Sequence, residues 1–306
     1  MDSINVFAPN TVANVGCGYD VLGFALEGYG DEVIVKKRAD SQLVIDEIEG
    51  ADLPTDPKIN VATVAISAML KSLGRTDGFT LKIKKAIAPG SGLGSSASSS
   101  AGAVFAVNEL LDRPFNPTEL VAFAMEGERA CSGVAHADNV APSLLGGFTV
   151  VQRNEPLDVY KIPYPRELLA VIIYPHVVVK TGDAKRMLKS EIATHRAVEQ
   201  SANMAGLISG LMSGDFDRIG RSIHDQIAEP IRKSLIPYYD EVKKQSLDQG
   251  ALGFNISGSG PSMFAFTNDP IIAENIRSVC SEIYAKKNIR ATSFVSPIYP
   301  EGVQVI

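Results

Sequence analysis

The chain has 306 residues, a formal net charge of −6 and 45% hydrophobic residues, which is length enough for two domains, with no low-complexity tract. It carries no basic stripe and no apolar run long enough to span a bilayer, so neither nucleic acid nor membrane is an expected partner. Three cysteines, Cys17, Cys131 and Cys280, have no metal-ligand spacing, and the N-terminus lacks a secretory signal; both point to reduced thiols in a cytoplasmic protein, with neither metal nor disulfide implied by the cysteines.

In chain order, strands are expected at 5–8, 31–37, 43–48 and 79–87, and helices at 61–73, 97–111 and 118–130, before a further strand begins at Gly146. Lys36, Lys37 and Arg38, and likewise Lys82, Lys84 and Lys85, read as solvated strand faces or ends. From 152 to 166 the composition changes to Pro156, Pro163 and Pro165 among charges, and a boundary is placed there between domains 1–165 and 166–306. Beyond it come a strand at 168–174, helices at 193–212, 216–227 and 236–249, and strands at 251–256 and 262–267 around a glycine turn. A helix at 271–286 and a strand at 290–295 close the chain. Strands and helices mix without a repeat, which gives an α+β class. Asn255-Ile256-Ser257 fits the glycosylation pattern and reads as chance in a cytosolic protein.

Between the strand at 79–87 and the helix at 97–111 lies Pro89-Gly90-Ser91-Gly92-Leu93-Gly94-Ser95-Ser96-Ala97. Glycines let successive N–H groups converge on an anion, and the helix that follows adds its unpaired donors and positive end, so the segment reads as a phosphate cradle. A Walker A loop is excluded, because Ser95 and not Lys follows Gly94. A dinucleotide pattern matches as Gly92-x-Gly94-x-x-Ala97, with Asp112 further on, and a nicotinamide dehydrogenase stays open as an alternative. So does a glycine-rich helix start with only a packing role.

Three segments together resemble the signature motifs of the GHMP kinases: Ala8-Pro9-Asn10-Thr11-Val12-Ala13-Asn14-Val15-Gly16-Cys17-Gly18-Tyr19-Asp20-Val21-Leu22-Gly23, the 89–97 loop, and Ser257-Gly258-Ser259-Gly260-Pro261. The resemblance covers nearly the whole chain. Asn14-x-Gly16-x-Gly18-x-Asp20, His136-Ala137-Asp138-Asn139 and Glu229-Pro230-Ile231-Arg232 are similar to the branch of that family that phosphorylates L-homoserine.

The resemblance implies ATP and Mg²⁺ as cofactors, L-homoserine as acceptor, and a homodimer. It also implies a two-domain fold: an N-terminal α/β domain with a left-handed βαβ unit and a ferredoxin-like C-terminal domain. By the same resemblance, Pro89, Gly90, Ser91, Gly92, Leu93, Gly94, Ser95 and Ser96 bind the ATP phosphates, and Ser96 and Glu128 hold Mg²⁺. Asn60 matches a position near adenine, although an N-cap role explains it equally well. Asn14 and Asp20 take the ammonium and hydroxyl end of the acceptor, Arg232 its carboxylate, and His136 and Asn139 match further contacts. One departure concerns a second carboxylate anchor: Thr181-Gly182-Asp183-Ala184-Lys185-Arg186 puts Lys185 where relatives often carry Arg, so that Lys185, Arg186 or neither serves. Asp138 stands where mevalonate-type relatives place a base, and it reads here as mainly structural. Another GHMP kinase with a sugar, mevalonate or isoprenoid-precursor acceptor, and a sensor that lost catalysis, are the competing readings.

Overall fold

The first strands of the chain make one long hairpin in the computed structural model, which describes residues 1–133, 136–177, 179, 184 and 186–306, with 131 and 132 as backbone only. β1 (Ser3–Val15) and β2 (Gly18–Arg38) pair antiparallel from Ser3 opposite Lys36 to Val15 opposite Gly18, with register shifts after Pro9 and Ala13. Only 5–8 and 31–37 are legible as strand, because from Ala8 to Val15 every residue is buried. A strand covered on both faces shows no alternation.

β3 (Leu43–Glu49), α1 (Val61–Ser72) and β4 (Gly78–Lys84) form a parallel crossover, and β4 pairs with β2. The helices α2 (Ser95–Leu110), α3 (Pro117–Ser132) and α4 (Ala137–Leu145) follow, then the hairpin β5 (Phe148–Asn154) and β6 (Leu157–Ile162). Pro156 lies in the two-residue turn of that hairpin, so part of the proline-bearing run is sheet. α2 is buried nearly all round, as its Ala, Ser and Gly content allows; a Cβ on Gly102 would come within 2.8 Å of Val33 Cγ2. Asn60 caps α1, and Asn116 with Glu119 forms a capping box on α3.

The second sheet opens with β7 (Leu169–Pro175). α5 (Thr194–Ser213), α6 (Phe216–Ser222), the single turn α7 (Glu229–Arg232) and α8 (Tyr239–Asp248) precede β8 (Gly253–Ile256) and β9 (Met263–Thr267), and α9 (Pro270–Lys286) and β10 (Ala291–Pro297) complete it. Its order is β10-β7-β9-β8, all antiparallel, which is the ferredoxin-like arrangement. The helix expected over 216–227 stops at Ser222, because the Asp225 carboxylate takes the N–H groups of Ile227, Ala228 and Glu229 and starts α7 instead. The last strand, β11 (Gln304–Val305), returns to β1, so the first sheet runs β11-β1-β2-β4-β3 with β5 on β2.

The two sheets share a core. Leu22 and Phe24 of β2, Phe148 of β5, Ile172 of β7, and Phe264 and Phe266 of β9 are all fully buried in one cluster. Phe24 lies 5.1 Å from Phe148, 5.9 Å from Phe264 and 5.5 Å from Phe266, ring centre to ring centre.

Phe24→Ala should therefore destabilise both halves at once, by about 3–5 kcal/mol. In denaturant titrations followed by near- and far-ultraviolet circular dichroism, one transition is expected, shifted in the variant. Two separate transitions, or a loss below about 1 kcal/mol, would contradict the shared core.

Candidate active site

The hairpin tip is the first wall of the site. Asn14 and Asp20, on either side of it, both have φ of +55°, a conformation few side-chain-bearing residues adopt. Asn14 makes this tolerable: its Oδ1 accepts the Asp20 N–H at 2.7 Å and its Nδ2 donates to the Gly258 carbonyl at 3.0 Å. Gly16, at the tip, has φ of +57°, and a Cβ there would stand 2.4 Å from the Ile223 carbonyl, so the tip sits tightly on the second unit.

The glycine loop is the second wall. Its carbonyls are tied outward: Leu93 O accepts from Thr11 N–H at 3.1 Å, Ser91 O from Ser262 N–H at 3.0 Å, and Gly92 O from the Ser257 hydroxyl at 2.6 Å. Gly94 is the N-cap of α2 in the left-handed region, and it offers no side chain to the first-turn N–H groups. A Cβ on Gly94 would fall 2.1 Å from Thr11 Oγ1. The start of α2 is thus left with donors suited to an anion.

Beneath the loop lies an ion pair. Lys85 donates to Asp31, to the Ser95 carbonyl and, at 2.8 Å, to the Ser99 hydroxyl, with its side chain only 1% exposed. Asp31 Oδ2 also accepts from the hydroxyls of Ser98 and Ser99, each at 2.8 Å. Burial pushes the Lys85 ammonium down from its usual range, while the charges of Asp31 and Glu128 act the other way. The reading of Lys85 as a solvated strand residue is thereby corrected. The signal was present: Phe79, Leu81 and Ile83 alternate as buried side chains along β4, and 85 continues their phase.

Glu128 on α3 and Ser96 on α2 face the same cavity. Burial pushes the Glu128 carboxyl up, opposed first by a hydrogen bond from Ser96 and then by the charge of Lys85. The start of α4 supplies His136, Asp138 and Asn139. His136 Nδ1 lies 3.7 Å from Asp20 Oδ2, and Asn139 Oδ1 accepts from the Thr11 hydroxyl at 2.8 Å. Arg232, 3% exposed, donates through Nη1 to the Gly258 carbonyl at 2.9 Å and has its guanidinium 5.3 Å from the Tyr19 ring centre. Its Nε is buried with no hydrogen-bond partner among the described residues.

One cavity therefore gathers Asn14, Asp20, Pro89, Gly90, Ser91, Gly92, Gly94, Ser95, Ser96, Glu128, His136, Asn139 and Arg232 from among the residues singled out in the sequence. Asp138, Gly258 and Ser259 also line it. Leu93 lies instead with its side chain in the core between the sheets. Asn60 is off the cavity, its Oδ1 accepting the Ala62 N–H at 3.0 Å as an N-cap and its Nδ2 donating to the Pro54 carbonyl at 2.8 Å. Arg186 is exposed and off the cavity, and Lys185 lies outside the described residues. A bed of backbone donors at a helix start, a carboxylate and hydroxyl beside it, and an under-partnered guanidinium across from it suit a polyphosphate next to a small zwitterion.

Residues 60–147 match the family model of the GHMP kinases N-terminal domain, and 207–286 that of the GHMP kinases C-terminal region. The chain is 42% identical to a protein named homoserine kinase from Chloroherpeton thalassium, with 100% of each covered. It superposes on the crystal structure of homoserine kinase from Cytophaga hutchinsonii with a TM-score of 0.97 and 46% identity, over 100% of this chain and 98% of that one. The L. major mevalonate kinase solved with R-mevalonate shares the fold, with a TM-score of 0.72 at 16% identity over 95% of both chains.

Lys85→Met should destabilise the protein by about 3–5 kcal/mol in chemical denaturation, because it strands the Asp31 carboxylate in the core. Adding Asp31→Leu should recover part of the loss. A double variant less stable than Lys85→Met would show that the pair is not what Asp31 depends on.

Proposed function

The chain belongs to the GHMP kinase family, and on that footing we propose that it transfers the γ-phosphoryl group of ATP to the side-chain hydroxyl of L-homoserine, giving O-phospho-L-homoserine on the way to threonine. The observation that carries the acceptor assignment is the pairing of a phosphate cradle with amino-acid anchors in one cavity, Arg232, whose Nε has no partner among the described residues, on one side and Asn14 and Asp20 on the other. The full-length relatives named homoserine kinase support it.

Phosphoryl transfer asks for positioning and charge neutralisation more than for covalent chemistry. The N–H groups of Gly90 to Ser96 receive the phosphates, aided by the positive end of α2. Ser96 and Glu128 fit a Mg²⁺ site: both line the cavity beside the phosphate cradle and are hydrogen-bonded to each other, and Mg²⁺ takes one or two protein oxygens and fills its shell with phosphate and water. The ion, when bound, neutralises charge on the phosphates as the γ-group leaves. Arg232 fixes the acceptor carboxylate, Asn14 and Asp20 hold its ammonium and orient its hydroxyl, and His136 and Asn139 close that side. The acceptor proton passes to the transferred phosphoryl group. Asp138, 3% exposed in the first turn of α4 with its carbonyl packed where a Cβ on Gly23 would fall, serves structure.

We place the enzyme in the cytoplasm on its cysteine usage and infer a homodimer from the family resemblance; no helix among the described residues is long and apolar enough to cross a membrane.

With MgATP, ³¹P NMR should show a new phosphomonoester for L-homoserine and none for mevalonate, galactose or L-threonine; turnover of another of these acceptors would overturn the assignment. Arg232→Ala should raise KM for homoserine by roughly 30- to 150-fold, the loss of a charge-assisted contact of about 2–3 kcal/mol, with KM for ATP little changed. Asp138→Asn should keep kcat within about tenfold, short of the roughly 10²- to 10⁴-fold that general acid–base catalysis contributes; a loss of several orders of magnitude with both substrates still bound would make Asp138 the base.

A further inference from the structure

Arg232 stands on α7, a helical segment of four residues, and one turn does not hold its own shape in water. Its shape comes from Asp225, whose side chain is buried. Asp225 Oδ1 accepts the Ile227 N–H at 2.8 Å, and Oδ2 accepts those of Ala228 at 2.9 Å and Glu229 at 2.8 Å. The Ala228 carbonyl then accepts the Arg232 N–H at 2.8 Å. Asp225 is thus two hydrogen bonds from the backbone of the guanidinium-bearing residue.

The same carboxylate reaches the opposite wall. Gln200, from α5 and also buried, donates its Nε2 to Asp225 Oδ1 at 3.1 Å and to the Cys17 carbonyl at 2.6 Å, and its Oε1 accepts the Gln226 N–H at 2.7 Å. Cys17 is the tip of the hairpin between Asn14 and Asp20. One glutamine side chain therefore spans the two groups of acceptor anchors from behind, with neither Gln200 nor Asp225 lining the cavity.

Resting on the acceptor assignment above, we propose that Gln200 and Asp225 are positioning residues that fix the span between Arg232 and the Asn14–Asp20 hairpin, and thereby make the enzyme select an acceptor whose carboxylate, ammonium and hydroxyl match that span. Loss of the bridge lets the α7 turn move relative to the hairpin. The carboxylate contact is lost first, because it depends on both walls. The phosphate cradle is held by other bonds, from Thr11, Ser257 and Ser262, and keeps its ATP.

The test compares L-homoserine with 3-amino-1-propanol, which keeps the ammonium and hydroxyl and lacks the carboxylate, in wild type, Asp225→Asn, Gln200→Met and the double variant Asp225→Asn/Arg232→Ala. Asp225→Asn should raise KM for homoserine by about tenfold or more, leave kcat within about threefold and KM for ATP unchanged, and lower the preference for homoserine over the aminoalcohol. Gln200→Met, which keeps the three backbone bonds to Asp225, should show the same selective loss in smaller measure, and it carries the test if Asp225→Asn does not fold. On an Arg232→Ala background Asp225→Asn should add little. An unchanged preference in Gln200→Met, a loss equal for both acceptors, or full additivity with Arg232→Ala overturns the inference. Failure of the wild type to phosphorylate homoserine overturns the acceptor assignment instead, so the two failures are separable.

Discussion

The backbone of one residue, Gly258, holds the site together. Its N–H donates to the Ala13 carbonyl at 2.9 Å, and its carbonyl accepts both Asn14 Nδ2 at 3.0 Å and Arg232 Nη1 at 2.9 Å. The residue before it, Ser257, ties the same turn to the glycine loop through the Gly92 carbonyl. Three segments more than 150 residues apart in part are thereby registered on a single turn of the second unit. Transfer between two bound molecules depends on their relative placement to within fractions of an ångström, and a common frame provides it without either wall being rigid by itself.

The frame is stable because the polar groups that build it are buried among partners and backed by apolar packing. The aromatic cluster around Phe24 and Phe148 joins the sheets on one side, and the helices α1 to α4 cover the first sheet on the other. Between them, Asp31 and Lys85 place a compensated pair of charges under the start of α2. Without that pair the Ser95 carbonyl, Ser98 and Ser99 would face each other with fewer partners, just where the loop must hold its shape. Asp225 does the corresponding work under α7.

The glycine loop and the α+β alternation were legible in the sequence, because strand, glycines and amphipathic spacing are local signals. The convergence of Asn14, Gly92, Arg232 and Gly258 was not, since no local rule links positions so far apart; only the likeness of the three signature segments, and of 229–232, to one family suggested it. Strand at 9–15 was hidden by burial on both faces, and Lys85 by its charge, which suits a surface despite the residue's inward phase. Asp225 escaped because its role is to end a pattern: it stops a helix that spacing alone would run to Ile227. Asn60 shows the reverse case, where the local reading, an N-cap, is what its side chain does. Asn255, in a glycosylation-like triplet, is 2% exposed and bonded to Glu229, which makes the match a coincidence of sequence.

One frame, built on Gly258, sets donor and acceptor against each other. A crystal structure of the ternary complex with Mg²⁺, a non-hydrolysable ATP analogue and L-homoserine tests it most directly. Phosphates are expected on the N–H groups of Gly90 to Ser96, the homoserine carboxylate on Arg232, and its hydroxyl in line with the γ-phosphorus beside Asp20. Homoserine bound away from Arg232, or with its hydroxyl turned from the γ-phosphorus while the Gly258 bonds are intact, would contradict it.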